Sequence, residues 1–143
     1  MNTSVDNISF NIPSDVPASS SFYSGGIPLS QNNVGHIYSI MAFGNLPANW
    51  DSYGANKING AAIVKAINFI YTDLGKREEE VFFTAPTADG DILVELKKDN
   101  SNLEFIFSGE TSDMIIASCS GDHHAEQVLN ETTVNAYLTW LNK

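Results

Sequence analysis

The chain is short of positive charge. Among 143 residues there are 7 Lys and Arg against 17 Asp and Glu, a formal net charge of −10, and no cation precedes Lys57. Proteins that hold nucleic acid or an anionic membrane do so by setting Lys and Arg against phosphates, so this composition counts against both and leaves a basic protein partner, or simple solubility, as its meaning. Cysteine is almost missing. Cys119 alone rules out an internal disulfide framework and suits a reducing compartment. The sequence also lacks a long apolar run and an N-terminal cationic stretch, which reads as no membrane span and no secretory signal, and the expected location is cytoplasmic. Gly-rich phosphate loops, a nucleophile elbow and paired metal-binding histidines on a helix are absent as well. No catalytic residue, cofactor or metal is therefore assigned.

What is present is enough for one globular domain. Hydrophobic residues make up 43% of the chain, and a chain of this length buries about two-thirds of its unfolded surface. Residues 1–31 carry eight serines and three prolines and read as an extended arm. Within it Ile8, Phe10 and Ile12 alternate with polar residues, so an edge strand or a cover over the core stands beside plain disorder. Residues 32–143 form the domain. Val34, Ile37, Ile40 and Met41 recur at helical spacing and predict a helix over about 33–44, with Asn32 or Asn33 as its cap and Gly44 as its stop. Ile63, Ile67, Ile70 and Leu74 predict a longer one over 60–74, capped by Asn59 and ended by Gly75. Val134, Leu138 and Leu141 place the last at about 131–142. Between them lie short alternating segments, Val81–Ala85, Ile92–Lys97, Leu103–Ser108, Met114–Cys119 and Ala125–Leu129, separated by turn residues such as Asp89-Gly90. Their even spacing predicts a four- to five-stranded antiparallel meander with the helices on one face, a two-layer α+β fold.

The run Asn49-Trp50-Asp51-Ser52-Tyr53-Gly54-Ala55 joins the helical and strand-rich halves. Pro47 blocks helix continuation. Trp50 and Tyr53 are expected to anchor in the core with one polar group at its edge, Asp51 to accept backbone hydrogen bonds within the turn, and Gly54 to take a positive φ. His36 falls in the first turn of the first helix, at solvent or a core edge. Cys119, His123 and His124 carry ligand chemistry but lack a second pair of ligands, and the segment reads as a hairpin turn built on Gly121-Asp122.

The run Trp50 to Ala55, the helix from Ala61 to Leu74, the segment Pro86-Thr87-Ala88-Asp89-Gly90 and the strand holding Glu95 together resemble a widespread family of small uncharacterised bacterial proteins. Its motif is Trp-Asp-x-(Tyr/Gly)-Gly-Ala before a helix, followed by a Pro-x-x-Asp-Gly strand start. The likeness covers about residues 46–143, with Leu96 where a tryptophan often closes the strand. It implies a bacterial origin and a shared fold, and it implies no activity.

Strand parity carries the functional expectation. If Leu96 pairs with Leu103, then Ile92, Val94, Leu96, Leu103, Phe105 and Phe107 face the helices, while Leu93, Glu95, Glu104 and Ile106 face outward. Two carboxylates directly opposite each other beside two aliphatic side chains serve no core. The expected function is a small acidic protein-interaction factor (an inhibitor, an immunity or antitoxin-like protein, or an adaptor) that uses Leu93, Glu95, Glu104 and Ile106 against a basic protein. The arm lying over this face is the alternative that parity leaves open, as is homo-oligomer formation through it. A second function class is an enzyme or small-ligand binder with a pocket near Asp51 and Tyr53, with His36 beside it.

Overall fold

A computed structural model describes residues 23–24 and 27–143, with side chains for 28–122 and 125–143; the arm residues Ile8, Phe10, Ile12 and Phe22 lie outside that set. Two short strands, β1 (Tyr23–Ser24) and β2 (Ile27–Pro28), pair antiparallel and lead to Leu29, which is buried in the core. The last residues of the stretch read as an arm thus belong to the packed domain.

Helix α1 spans Gln31–Phe43. Its cap is neither Asn32 nor Asn33 but Ser30, whose hydroxyl accepts from the Asn33 backbone N–H at 3.1 Å. The two asparagines are committed elsewhere. Asn32 donates to the Val81 carbonyl at 2.8 Å. Asn33, fully buried, donates from Nδ2 to the Glu79 carbonyl and accepts from the Val81 N–H, both at 2.9 Å. One amide side chain thereby satisfies both backbone groups of the chain where it re-enters the sheet, as buried polar groups require. At the far end of α1, Lys57 Nζ donates to the Gly44 and Leu46 carbonyls, supplying a cation where the helix ends in unpaired oxygens.

Helix α2 runs Gly60–Asn68, with Asn59 as its cap through a 2.8 Å bond to the Ala61 N–H. Sequence periodicity carries one helix to Leu74, and the chain does stay helical that far. Phe69–Leu74, however, widen into a π turn, and Gly75–Arg77 tighten into a 3₁₀ turn. The wider turn leaves Phe69, Ile70 and Leu74 all buried, and the Phe69 ring lies 4.6 Å from that of Phe105 and 5.2 Å from that of Phe107. These are the distances at which tilted aromatic pairs attract.

Five strands follow: β3 (Phe83–Pro86), β4 (Ile92–Lys98), β5 (Ser101–Phe107), β6 (Met114–Cys119) and β7 (Asp122–Val128). Each pairs antiparallel with its sequence neighbours, in the order β3-β4-β5-β6-β7. Pro86 belongs to β3, at its end, where a missing N–H is tolerated. The hairpin after β6 turns on Ser120 and Gly121, one residue earlier than Gly121-Asp122; both have positive φ, 55° and 86°, as a type I′ turn demands. Strand β7 is longer than the Ala125–Leu129 segment because it begins directly at that turn, and a bulge near Ala117 and Ser118 absorbs the extra residue.

Helix α3 (Glu131–Leu141) opens with a reciprocal cap between Asn130 and Thr133. Helix α1 lies against β3, α2 against β4 and β5, and α3 against β5 and β6. The core fills the space between. Ile92, Val94, Leu96, Leu103, Phe105, Phe107 and Ile115 are all 2% exposed or less, and they share the helix-facing side of the sheet. The fold is the two-layer α+β meander that the alternation of the sequence predicts. No helix among the described residues is long and apolar enough to cross a membrane.

The Asn33 bridge makes a sharp prediction. Replacing Asn33 by alanine leaves the Val81 N–H and the Glu79 carbonyl buried without partners, at about 1 to 3 kcal/mol each. Urea denaturation should show a loss of about 2 to 6 kcal/mol, with the unfolding slope unchanged.

Candidate functional site

The loop at Trp50–Ala55 is a backbone device. Asp51 Oδ1 accepts from the N–H groups of Tyr53 (2.8 Å) and Ala55 (3.1 Å), while Asn49 Oδ1 accepts from Gly54. Three residues take positive φ: Asn49 at 63°, Ser52 at 68° and Gly54 at 88°. The carboxylate therefore holds a strained turn closed. Trp50 is half-buried, packed against the core from outside, with Nε1 donating to the Asn56 carbonyl at 3.2 Å. Tyr53 departs from expectation. It is 92% exposed and anchors nothing in the core, because the turn that Asp51 closes carries its Cβ outward.

Downstream of this loop the chain docks onto the β3–β4 turn. The Asn56 N–H bonds the Ala88 carbonyl at 2.8 Å and the Asn59 N–H bonds the Gly90 carbonyl at 2.9 Å. Gly90 has φ +89°, and a Cβ there would meet the Lys57 carbonyl at 2.8 Å; neither the conformation nor the approach admits another residue. Beside this junction is a cavity of about 430 Å³ lined by residues that include Lys57, Asp89, Asp91 and Glu110. Burial raises the Asp91 carboxyl above its usual range; a Ser108 hydrogen bond opposes the rise, and Asp89, Asp113 and Glu110 add to it. Asp51 and Tyr53 do not line this cavity. His36 lies against the sheet, with Nδ1 3.0 Å from Thr84 Oγ1, and burial holds it below the usual imidazole value against the pull of Glu80. The three residues named for a pocket are thus not gathered around it. Cys119 is partly exposed, the side chains of His123 and His124 are outside the described residues, and among the described residues no three His, Cys, Asp or Glu side chains cluster as a metal site.

The face of the sheet turned away from the helices is different. Leu96 does pair with Leu103, so Glu95 lies opposite Glu104 and Leu93 opposite Ile106. The same rows run on across the neighbouring strands. Ala85 pairs with Leu93, Ile106 with Met114, and Met114 with Val128, giving an apolar row across all five strands. One step along the strands, the next row is Phe83, Glu95, Glu104, Ile116 and Glu126. Three carboxylates thus stand beside the apolar row. Phe83 and Val128, at the two edges, are 48% and 50% exposed. In the third row Asn102 donates to Glu95 Oε2, and Lys97 stands 5.4 Å from the ring centre of Phe82. Burial, and then the charge of Glu95, raise the carboxyl of Glu104. The sequence reading found four of these residues. It missed Phe83, Ala85, Met114, Ile116, Glu126 and Val128, although carrying the β4–β5 parity on through β6 identifies Met114 and Ile116.

Compared with models of known protein families, with curated proteins and with solved structures, the chain matches none.

Two outcomes follow from this geometry. Asp51→Asn keeps the Oδ1 acceptor and should cost less than about 1 kcal/mol, whereas Asp51→Ala frees two N–H groups and should cost about 1 to 3 kcal/mol by thermal or urea unfolding. Glu104 titrates in the unfolded chain near 4.5 and higher in the fold. Its contribution to stability is therefore fully present below that value and lost as pH rises through the folded one. Glu104→Gln should raise the melting temperature at pH 7, and the gain should fade as pH falls to about 4.

Proposed function

We propose that this is a small acidic interaction protein, an inhibitor, immunity-like factor or adaptor, that binds a more basic protein through the outer face of its sheet. The observation that carries the reading is the pairing of Glu95 with Glu104 directly beside Leu93 and Ile106. Like charges opposed across a sheet are unfavourable on their own, and the Glu104 carboxyl is raised first by burial and then by the charge of Glu95. A Lys or Arg delivered by a partner relieves the opposition, while apolar groups of the partner cover the neighbouring row. The net charge of −10 steers such a partner in and speeds its arrival.

The same charges disfavour the alternatives. A second copy on this face would set Glu95, Glu104 and Glu126 against their own kind. The chain's own arm has no Lys or Arg to offer, since none precedes Lys57. The small-ligand reading loses its support at Asp51 and Tyr53, because neither lines the cavity. A cytoplasmic setting fits the single cysteine.

The test is a comparison of retained proteins from extracts of the source cells on the wild-type protein and on a Glu95→Lys, Glu104→Lys variant. The expected outcome is a basic protein held by the first and released by the second. Association with that purified protein should be slower for the variant and less sensitive to salt. Folding of the variant, checked by thermal unfolding, should be intact, since neither carboxylate belongs to the core and surface substitutions outside it usually change stability little. A partner held equally by both proteins places the binding surface elsewhere.

A further inference from the structure

We infer that the element received by this face is a single amphipathic α-helix with one apolar residue per turn and Lys or Arg along one flank. The inference rests on the basic-partner reading and goes on to specify the shape of what docks. Its ground is the spacing of the rows. The side chains of Ala85, Leu93, Ile106, Met114 and Val128 are direct cross-strand neighbours, so they repeat at the strand separation of about 4.8 Å and span about 19 Å. An α-helix presents one face every turn, about 5.4 Å, and covers 19 Å in about 13 residues. The mismatch is about 0.6 Å per step, and side-chain rotamers take it up. An extended segment laid on the same row repeats its side chains about every 6.8 Å and falls out of step by the second contact.

An extended segment laid along a strand fares no better. It would meet Leu93, Glu95 and Lys97 on β4, or Ile106, Glu104 and Asn102 on β5, which is one apolar contact followed by polar ones. The apolar direction of this face crosses the strands. The acidic row lies about 6.8 Å to one side of it, within reach of a Lys or Arg flanking a helix seated on the row. That geometry asks for basic residues next to each apolar one, on the side toward Glu95, Glu104 and Glu126.

A stapled peptide of about 14 residues, with leucine once per turn and lysine along one flank, is the probe. A peptide of the same composition with an interior proline and no staple is its control, since proline breaks the helix. With isotope-labelled full-length protein, the stapled helix should shift the NMR signals of Leu93, Ile106, Met114 and Val128. It should bind about tenfold or more tightly than the control, and Glu95→Lys with Glu104→Lys should abolish the difference. Equal binding of both peptides on these residues overturns the helix and leaves the basic-partner reading standing. That reading itself falls on the retained-protein comparison above. Signals of the face that move on raising the protein's own concentration, or on deleting residues 1–22, identify a second copy or the arm as the occupant and also overturn the inference.

Discussion

The register between β4 and β5 is the constraint on which the rest depends. With a side-chain period of two, a slip of one residue would turn Ile92, Val94 and Leu96 outward and bring Leu93 and Glu95 into the core. The two-residue connection at Asp99 and Asn100, where Asp99 holds φ 54°, leaves Lys98 opposite Ser101 and fixes the count. From that pairing come the buried surface that receives α2 and α3 and the stacking of carboxylates on the other side. The two faces are products of one decision. An outer face with opposed glutamates is tolerated because the inner face, with Phe105 clasped between strand neighbours and the Phe69 ring, sets the register too firmly for the repulsion to move it.

A second set of ties is polar and long-range. The sheet is a local structure, each strand pairing with the next, but the helices ahead of it must be attached across long stretches of chain, 46 and 48 residues at Asn33. Asn33 does this for α1 by capturing the backbone at Glu79 and Val81. The segment 56–59 does it for α2 by hydrogen bonding to the β3–β4 turn at Ala88 and Gly90. Both joints use backbone groups left unpaired where the chain changes from helix to strand, and both put a small polar side chain or a glycine where bulk would intrude. The strained loop around Asp51 belongs to this second joint: it delivers Asn56 to Ala88.

Much of the fold was legible because alternation and helical spacing are direct images of burial. Strand β4, strand β5 and their pairing followed from Leu96 and Leu103, and four residues of the outer face came with them. What could not be read was set by distant partners. Asn33 has the sequence appearance of a helix cap, and only its neighbours at Glu79 and Val81 reveal a bridge; Ser30, a better-placed cap, was overlooked beside two asparagines. Tyr53 in a turn has no periodicity to say which way it points, and the backbone hydrogen bonds of Asp51 turn it to solvent. The π turn at Phe69–Leu74 has no signature in the spacing, since Phe69 already follows the buried Ala62 and Ala66 at helical intervals. The parity argument spans β4 and β5 only, and the turn at Ser120 with the bulge near Ala117 and Ser118 sets the start and phase of β7, so Glu126 and Val128 lie beyond its reach.

The order of the meander also bears on how the chain assembles during synthesis. Strands that pair only with their sequence neighbours can zip up as they emerge, since little chain must be closed into loops before contacts form. The inner side of β5 and β6 is another matter: its cover is α3, which follows β7. Between completion of the hairpins and arrival of α3, the inner side of β6, Ile115 included, lacks its cover, while Phe105 on β5 is already met by the Phe69 ring. A nascent chain at that stage exposes apolar surface on both sides at once, and it is then that a chaperone's protection against aggregation matters most.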